Sequence, residues 1–314
     1  MKLLFKKILV FIFPLFLLVV GMDFYLRNMN SLYKEKVRGL IAHAHEIEIL
    51  ILGNSHAGRG VDPNYFTDYT FNIANVGQSI YFDKELTLKN LKYLENLKYV
   101  FISLNYHSLY FSSQRGNRNI WSYYGNGIKY SSTSYYKADI SPFLFGYGPR
   151  VSFSYLKKDI LAKVGINPDE VVAMGTAIQG YVAFSGTETN DFNNNSYTDR
   201  INGFNKLIKT STEKKIVMNE LNQLITTLKE RSITPIFLST PTFKEYNIKL
   251  DSNIINKNLI DAENLCNKYN IEFWDYAINN NFIENEFFNA DHLNKKGAER
   301  FSKMLDERLK LYNN

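Results

Sequence analysis

One cysteine in 314 residues, Cys266, excludes an internal disulfide and any metal site built from several thiolates. It falls on the apolar stripe Ile255, Leu259, Ala262, Cys266, Tyr269, which makes it a small core residue of a helix rather than a nucleophile. Seven prolines and 17 glycines are too few for a low-complexity or collagen-like chain. The five histidines show no H-x-x-x-H or H-E-x-x-H spacing, and the G-x-G at Gly125 to Gly127 has no strand before it and no helix after it. Neither a metal nor a cofactor is therefore expected. Basic residues exceed acidic ones by 37 to 31, a net charge of +6, but the excess is scattered, as in Glu213, Lys214, Lys215. No basic block interleaved with aromatics marks a nucleic-acid surface. Long apolar runs are also lacking, with one exception, so a multi-span membrane protein is ruled out.

The exception is at the amino terminus. After Lys2, Lys6 and Lys7, residues Ile8 to Met22 are uninterrupted apolar, and Leu3 to Leu26 makes a span of 24 residues, enough to cross a bilayer if the lysines snorkel. The strict run of 15 residues is also of signal-peptide length. No small-x-small cleavage site follows it, and Tyr25 and Arg27 have the character of interface anchors, so we read residues 1–27 as an uncleaved anchor. The lysine flank places the amino terminus in the cytoplasm and the remaining chain outside it. Residues 28–45 read as a polar linker and 46–314 as one domain.

Within that domain short apolar runs alternate with helical periodicity. The runs are Glu46 to Leu52, Phe71 to Val76, Tyr99 to Leu104, Ile236 to Ser239 and Ile271 to Asp275. Leu88, Leu91 and Leu94, then Val217 through Leu228, the segment carrying Cys266, and finally Ala298, Phe301, Leu305 and Leu309 supply the helices. Such alternation predicts an α/β fold with a parallel five-stranded sheet covered on both faces. Residues 107–210 break the pattern as an insertion rich in Tyr, Ser, Asn and Gly, and eight of the 22 tyrosines fall between 106 and 148 beside Trp121. Those rings either stack on sugars or pack a small subdomain of their own.

Chemistry in a parallel sheet collects beyond the carboxyl ends of its strands. The first strand runs into Gly53, Asn54, Ser55, His56, where a serine at a strand-to-helix turn has an exposed hydroxyl and a free backbone N–H. Ser55 could equally be a helix N-cap. The second strand leads to Gly77 and the third to Asn105, each able to offer a further N–H donor. Near the carboxyl terminus Asn294 is placed to cap the last helix, leaving His292 in the preceding loop to act as general base for Ser55. His56, next to Ser55, is expected to face away from it, toward the rim or the interior. Candidate substrate contacts are Asn54, Tyr106 and His107 near the strand ends and Trp121 in the insertion.

Together these four blocks resemble the SGNH/GDSL hydrolase superfamily, whose pattern is a Ser near the first strand, a Gly after the second, an Asn after the third and a late Asp-x-x-His. The G-x-S-H opening, the amino-terminal anchor and the ending Asp291, His292, Leu293, Asn294, Lys295, Lys296, Gly297, Ala298 are most similar to its extracytoplasmic branch, which includes the D-alanine transfer protein of teichoic-acid modification and alginate O-acetylation proteins. The resemblance covers roughly 46–106 and 213–312. It implies a three-layer αβα, flavodoxin-like sheet with Ser55 as nucleophile, the Ser55 N–H, Gly77 and Asn105 as oxyanion donors, and His292 as base. It also implies acyl transfer, O-acetylating a cell-surface polysaccharide, with a membrane-bound O-acyltransferase as acyl supplier. A carbohydrate esterase with water as acceptor is one alternative, and a catalytically weak polysaccharide-binding or assembly subunit is another.

Two positions depart from the family pattern. Asn54 stands where an Asp usually precedes the Ser, and Asn289 occupies the slot of the carboxylate that orients the histidine. In serine proteases the equivalent Asp-to-Asn change lowers turnover by about 10⁴. Asp291 would restore the charge only if the chain turns there, since neighbours on an extended segment point apart. Asp291, Asn289 and, more distantly, Asp275 remain as candidate partners of His292.

Overall fold

The computed structural model describes residues 2–112, 123, 125–128, 140–165, 178–184, 186, 192, 194–279 and 281–312. In chain order its regular elements are α1 (Lys2–Asn28), α2 (Leu32–Ala42), β1 (Ile49–Leu52), α3 (Ser55–Gly60), β2 (Thr70–Asn72), α4 (Ile80–Asn90), β3 (Tyr99–Ser103), α5 (Pro149–Lys163), α6 (Asn194–Thr210), α7 (Lys214–Glu230), β4 (Thr234–Ser239), α8 (Lys244–Ile248), α9 (Ser252–Tyr269), β5 (Phe273–Asp275), β6 (Phe287–Asn289), β7 (His292–Leu293) and α10 (Lys295–Tyr312). Contacts divide the chain into two units, Met1–Glu35 with Gln114–Thr176, and Lys36–Ser113 with Ala177–Asn314. The insertion is thus shared, its first part grouping with α1 and its last part with the sheet.

In the first unit, α1 is, among the described residues, the one helix long and apolar enough to cross a membrane. Residues 4–18 are exposed on every side. From Val19 onward one stripe, Val19, Met22, Leu26 and Met29, packs on Phe143, Tyr147 and Leu156. The spacing of three and four residues between those positions is that of a single helix face.

The second unit is built on a parallel sheet in the order β2-β1-β3-β4-β5. All four residues of β1 are buried, as are Val100 to Ser103 of β3 and Pro235 to Ser239 of β4. Strands covered on both faces need no polar alternation, which is why ILIL and VFIS read as plain apolar runs. On one face Ile49, Ile51, Phe101, Ile236, Leu238 and Trp274 meet Phe301, Leu305 and Leu309 of α10. On the other, α7 packs on α4 and β4 with Val217, Leu221, Leu224, Ile225 and Leu228 fully buried. Because β1 lies between β2 and β3, the connections leave it in opposite directions, and the crevice beyond the carboxyl ends of β1 and β3 is where such sheets bind ligands.

Besides strand ends that shift by two or three residues, as in β1, β4 and β5, two elements differ from the sequence reading. The helix expected through Leu88, Leu91 and Leu94 begins at Ile80 and gives way to a 3-10 turn over Leu91–Tyr93. Strand β2 stops at Asn72, whose Oδ1 accepts from the Ala74 N–H while its Nδ2 donates to the carbonyls of Ala57 and Val61. A side chain that binds nearby backbone in this way competes with the strand ladder.

Directly beneath the turn after β1 lies Asp83 of α4, only 1% exposed. Its Oδ1 accepts from the Gly53 N–H at 2.9 Å and from Gln78 Nε2 at 2.6 Å, yet burial pushes its carboxyl up to about 7. Between the ordinary carboxylate value near 4 and about 7 the folded chain holds a proton that the unfolded chain has released. Folding stability from this group therefore falls as pH rises through that window. The variant Asp83→Asn, isosteric with the neutral acid, is expected to match the parent in urea unfolding at pH 4 and to exceed it at pH 8 by on the order of 1–3 kcal/mol. Identical midpoints at pH 8 would show that Asp83 ionises in the fold without cost.

Candidate active site

Gly53 closes β1 with φ at +132°, and a Cβ there would collide with that of Ser103, so the turn tolerates glycine alone. Asn54 follows as the N-cap of α3, its Oδ1 accepting from the His56 N–H at 3.0 Å. Ser55 is consequently the first residue of the helix and not its cap, which leaves its hydroxyl unspent on the backbone.

The histidine is delivered by a hairpin. Strands β6 and β7 pair antiparallel with Asn289 opposite His292, so the chain reverses through Ala290 and Asp291. Asn294 Oδ1 accepts from the Gly297 N–H at 3.1 Å, capping α10 as its position suggested. A Cβ on Gly297 would run into the Glu286 carbonyl, so the helix starts pressed against the hairpin.

His292 Nε2 lies 2.8 Å from Ser55 Oγ, although the two residues are 237 positions apart in the chain. On the other side of the ring, Nδ1 is 2.8 Å from Asp291 Oδ1 and 2.9 Å from Asn289 Oδ1. Two acceptors facing Nδ1 fix its hydrogen there and leave the Nε2 lone pair for the serine proton. Because the hairpin turns at Asp291, the alternation that would have separated its side chain from that of His292 does not apply. Asp275 is not a partner, since its Oδ1 accepts from Ser239 Oγ and the Ala277 N–H. Burial alone would raise the Asp291 carboxyl, but its interaction with His292, which includes a hydrogen bond, and the Arg200 guanidinium outweigh it and hold the group well below the usual carboxylate range.

Arg200 and His56 were not foreseen as site residues. Arg200 Nε sits 3.0 Å from Asp291 Oδ2, and His56 Nε2 is 3.6 Å from the same oxygen. His56 does not face away from the site: it is 6% exposed, with its ring centroid 4.6 Å from that of His292. The expectation rested on adjacency to Ser55 alone, whereas both residues lie in α3, where successive side chains are only about 100° apart. Burial, then the neighbouring His292, holds the His56 imidazole well below its ordinary value and so neutral. Helix α6, the last part of the insertion, supplies Arg200, Phe204 and Asn205. Phe204 stacks on His107 at 4.4 Å, and Asn205 Oδ1 accepts from the Tyr106 hydroxyl at 2.6 Å. The i, i+4 spacing of Arg200 and Phe204 was the one available hint, and it lay in a segment without any motif.

The Nδ2 group of Asn105 donates to Ser103 Oγ at 2.9 Å and to Asn54 Oδ1 at 3.3 Å, which holds the amide beside the residue preceding Ser55. Gly77 occupies an exposed turn at φ +67°. Of the candidate substrate contacts, Asn54 has its Nδ2 3.5 Å from His107 Nε2. The Tyr106 hydroxyl, which donates to Asn205, also accepts from the Asp251 N–H at 3.2 Å, and the residue lines the cavity next to the site. Trp121 lies outside the described residues. A cavity of about 130 Å³, partly open to solvent, is lined by His56, Asn105 and His107 together with apolar side chains such as Leu104, Leu259 and Phe273.

No family profile and no curated protein matches the sequence. Among solved structures, a GDSL-like lipase from Bacteroides thetaiotaomicron aligns with a TM-score of 0.44 at 12% identity, covering 91% of this chain and 99% of that one. A protein provisionally assigned as an acylhydrolase from Bacteroides fragilis aligns with a TM-score of 0.41 at 10% identity, covering 87% and 94%. The likeness is one of chain course.

The donor atoms of His56, Asp291 and His292 lie within 4.8 Å of one another, a spacing that could hold a cation. Arg200 already places its positive charge on the carboxylate such an ion would need. What the arrangement offers directly is a hydroxyl, a base in contact with it, and an ionised group behind the base.

Proposed function

We propose that this protein is a membrane-anchored serine acyltransferase that O-acetylates a cell-surface polysaccharide through an acyl-enzyme on Ser55. The observation that carries the reading is the unbroken relay from Ser55 Oγ through His292 to Asp291 and Asn289. As Oγ attacks the donor carbonyl, His292 Nε2 takes its proton, and the resulting imidazolium is stabilised by the Asp291 charge. The oxyanion is received by the N–H groups of Ser55 and Gly77 and by the Asn105 amide. Collapse breaks the bond to the leaving group, which takes the proton from His292. A sugar hydroxyl then attacks the Ser55 ester, gives its proton to His292, and Ser55 leaves with that proton restored. No step calls for a metal or cofactor.

Helix α1, through residues 3–26, holds the protein in the membrane with the lysine-flanked end in the cytoplasm and the site outside. A membrane-bound O-acyltransferase would then deliver the acyl group from the other side. The weak-subunit reading rests on Asn289 and on the aromatic insertion, and the carboxylate of Asp291 on the same Nδ1 weighs against the first of these grounds.

Full-length protein in detergent, given an aryl acetate and an oligosaccharide acceptor, is expected to move the acetyl group onto the sugar in a Ser55-dependent manner. Release of free acetate alone would replace the transferase by an esterase. If wild type and Ser55→Ala behave alike, both enzymatic readings fall.

A further inference from the structure

Residues 140–165 belong to the same unit as α1, and nothing in the chemistry above uses them. They form a short π-helical turn, Pro142–Tyr147, followed by α5. Among the described residues, their hydrogen bonds to α1 fall between Asp23 and Arg27. Asp23 accepts from Ser141 Oγ at 3.0 Å and from the Phe143 N–H at 2.8 Å. Tyr25 donates its hydroxyl to Asp159 at 2.8 Å, and Arg27 Nη2 donates to the Ile140 carbonyl at 3.2 Å. A hydrocarbon layer of about 30 Å is crossed by about 20 helical residues. Counted from the lysine-flanked end, α1 leaves that layer close to Asp23. Both ends of the segment are therefore pinned where the helix emerges into the headgroups.

What the segment turns outward is apolar. Ile140, Leu144, Phe145, Phe153, Ile160 and Val164 are exposed, between 43% and 64%. Phe153, Ile160 and Val164 are spaced by seven and four residues, so they share one stripe on the helix and its cap. Arg150, Lys157, Lys158 and Lys163 accompany them, against Asp159 as the one acidic residue in the segment. A stripe of rings and aliphatic groups bordered by cations is the pattern of a helix lying in a membrane surface. Phe24, at the emerging end of α1, is likewise exposed.

We infer that residues 140–165 lie in the headgroup layer of the membrane beside the emerging end of α1, with Phe145, Phe153 and Ile160 seated in lipid and the lysines and arginine facing anionic phosphates. The inference rests on α1 residing in the bilayer, and the test separates the two. Nitroxide labels would be placed one at a time at Phe13→Cys, Phe145→Cys, Ile160→Cys and Ile260→Cys in the full chain carrying Cys266→Ala, reconstituted in discs of phosphatidylglycerol and phosphatidylcholine. Collision with oxygen and with a water-soluble nickel chelate then reports depth. Labels at 145 and 160 are expected to favour oxygen over the chelate several-fold, a label at 13 more strongly still, and a label at 260, exposed on the sheet unit, the reverse. A deep reading at 13 with watery readings at 145 and 160 would overturn the inference and spare the anchor. Shielding of 145 and 160 from both agents would assign the stripe to a protein contact and overturn it too. A watery reading at 13 would remove the anchor and the inference together.

Discussion

Replacing Ser55 with alanine is expected to lower turnover of an activated acetyl ester by at least about 10³-fold, because the substitution removes the hydroxyl that carries the acyl group in the proposed mechanism. The fold should not notice. Asn54, not Ser55, caps α3, and the hydroxyl's partner is the His292 ring. A residual rate above background is expected, since the N–H donors that would receive the oxyanion remain. Burst kinetics with a 4-nitrophenyl ester provide the check, together with unfolding curves that should superimpose on the parent. Equal rates in the two proteins would mean that the Ser55–His292 contact is structural and that the chemistry, if any, happens elsewhere.

The second large effect concerns the partner of His292. Both Asp291 and Asn289 face Nδ1, but only Asp291 brings charge, and Arg200 with His56 steadies its second oxygen. Asp291→Asn is therefore expected to cost about 10³–10⁴ in kcat with little change in KM, the scale seen when a triad carboxylate is made neutral. Asn289→Ala should cost no more than about tenfold, the worth of one neutral hydrogen bond. If the two losses came out reversed, the hairpin carboxylate would be a structural ion paired to Arg200, and the amide would be the true orienting group.

Much of this site could be read in the chain because its parts follow strand ends. β1, β3, β4 and β5 show themselves as apolar runs, and the residues after them are few enough to inspect one by one. The undecided matter was the partner of His292, where an extended-chain rule was applied to residues that turn out to sit in a tight reversal. His56 was misjudged from its adjacency to Ser55, although both lie in the first turn of a helix, where neighbours need not point apart. Arg200 was invisible for a different reason: α6 belongs to an insertion with no motif, and its side chain gains meaning only by meeting a carboxylate 91 positions later in the chain. Asp83 was hidden as well, since an acidic residue in the first turn of a helix is ordinarily a solvated complement to the helix dipole. Only the sheet order reveals that it lies under Gly53.

The hairpin that ends in His292 carries the base and both groups behind it on four consecutive residues. Such a cassette keeps its internal bonds when it moves, so a shift of this loop would change its gap to Ser55 and its contact with Arg200 together. The seating of one hairpin against α3 and α6 thus sets both the distance over which the proton travels and the charge behind it.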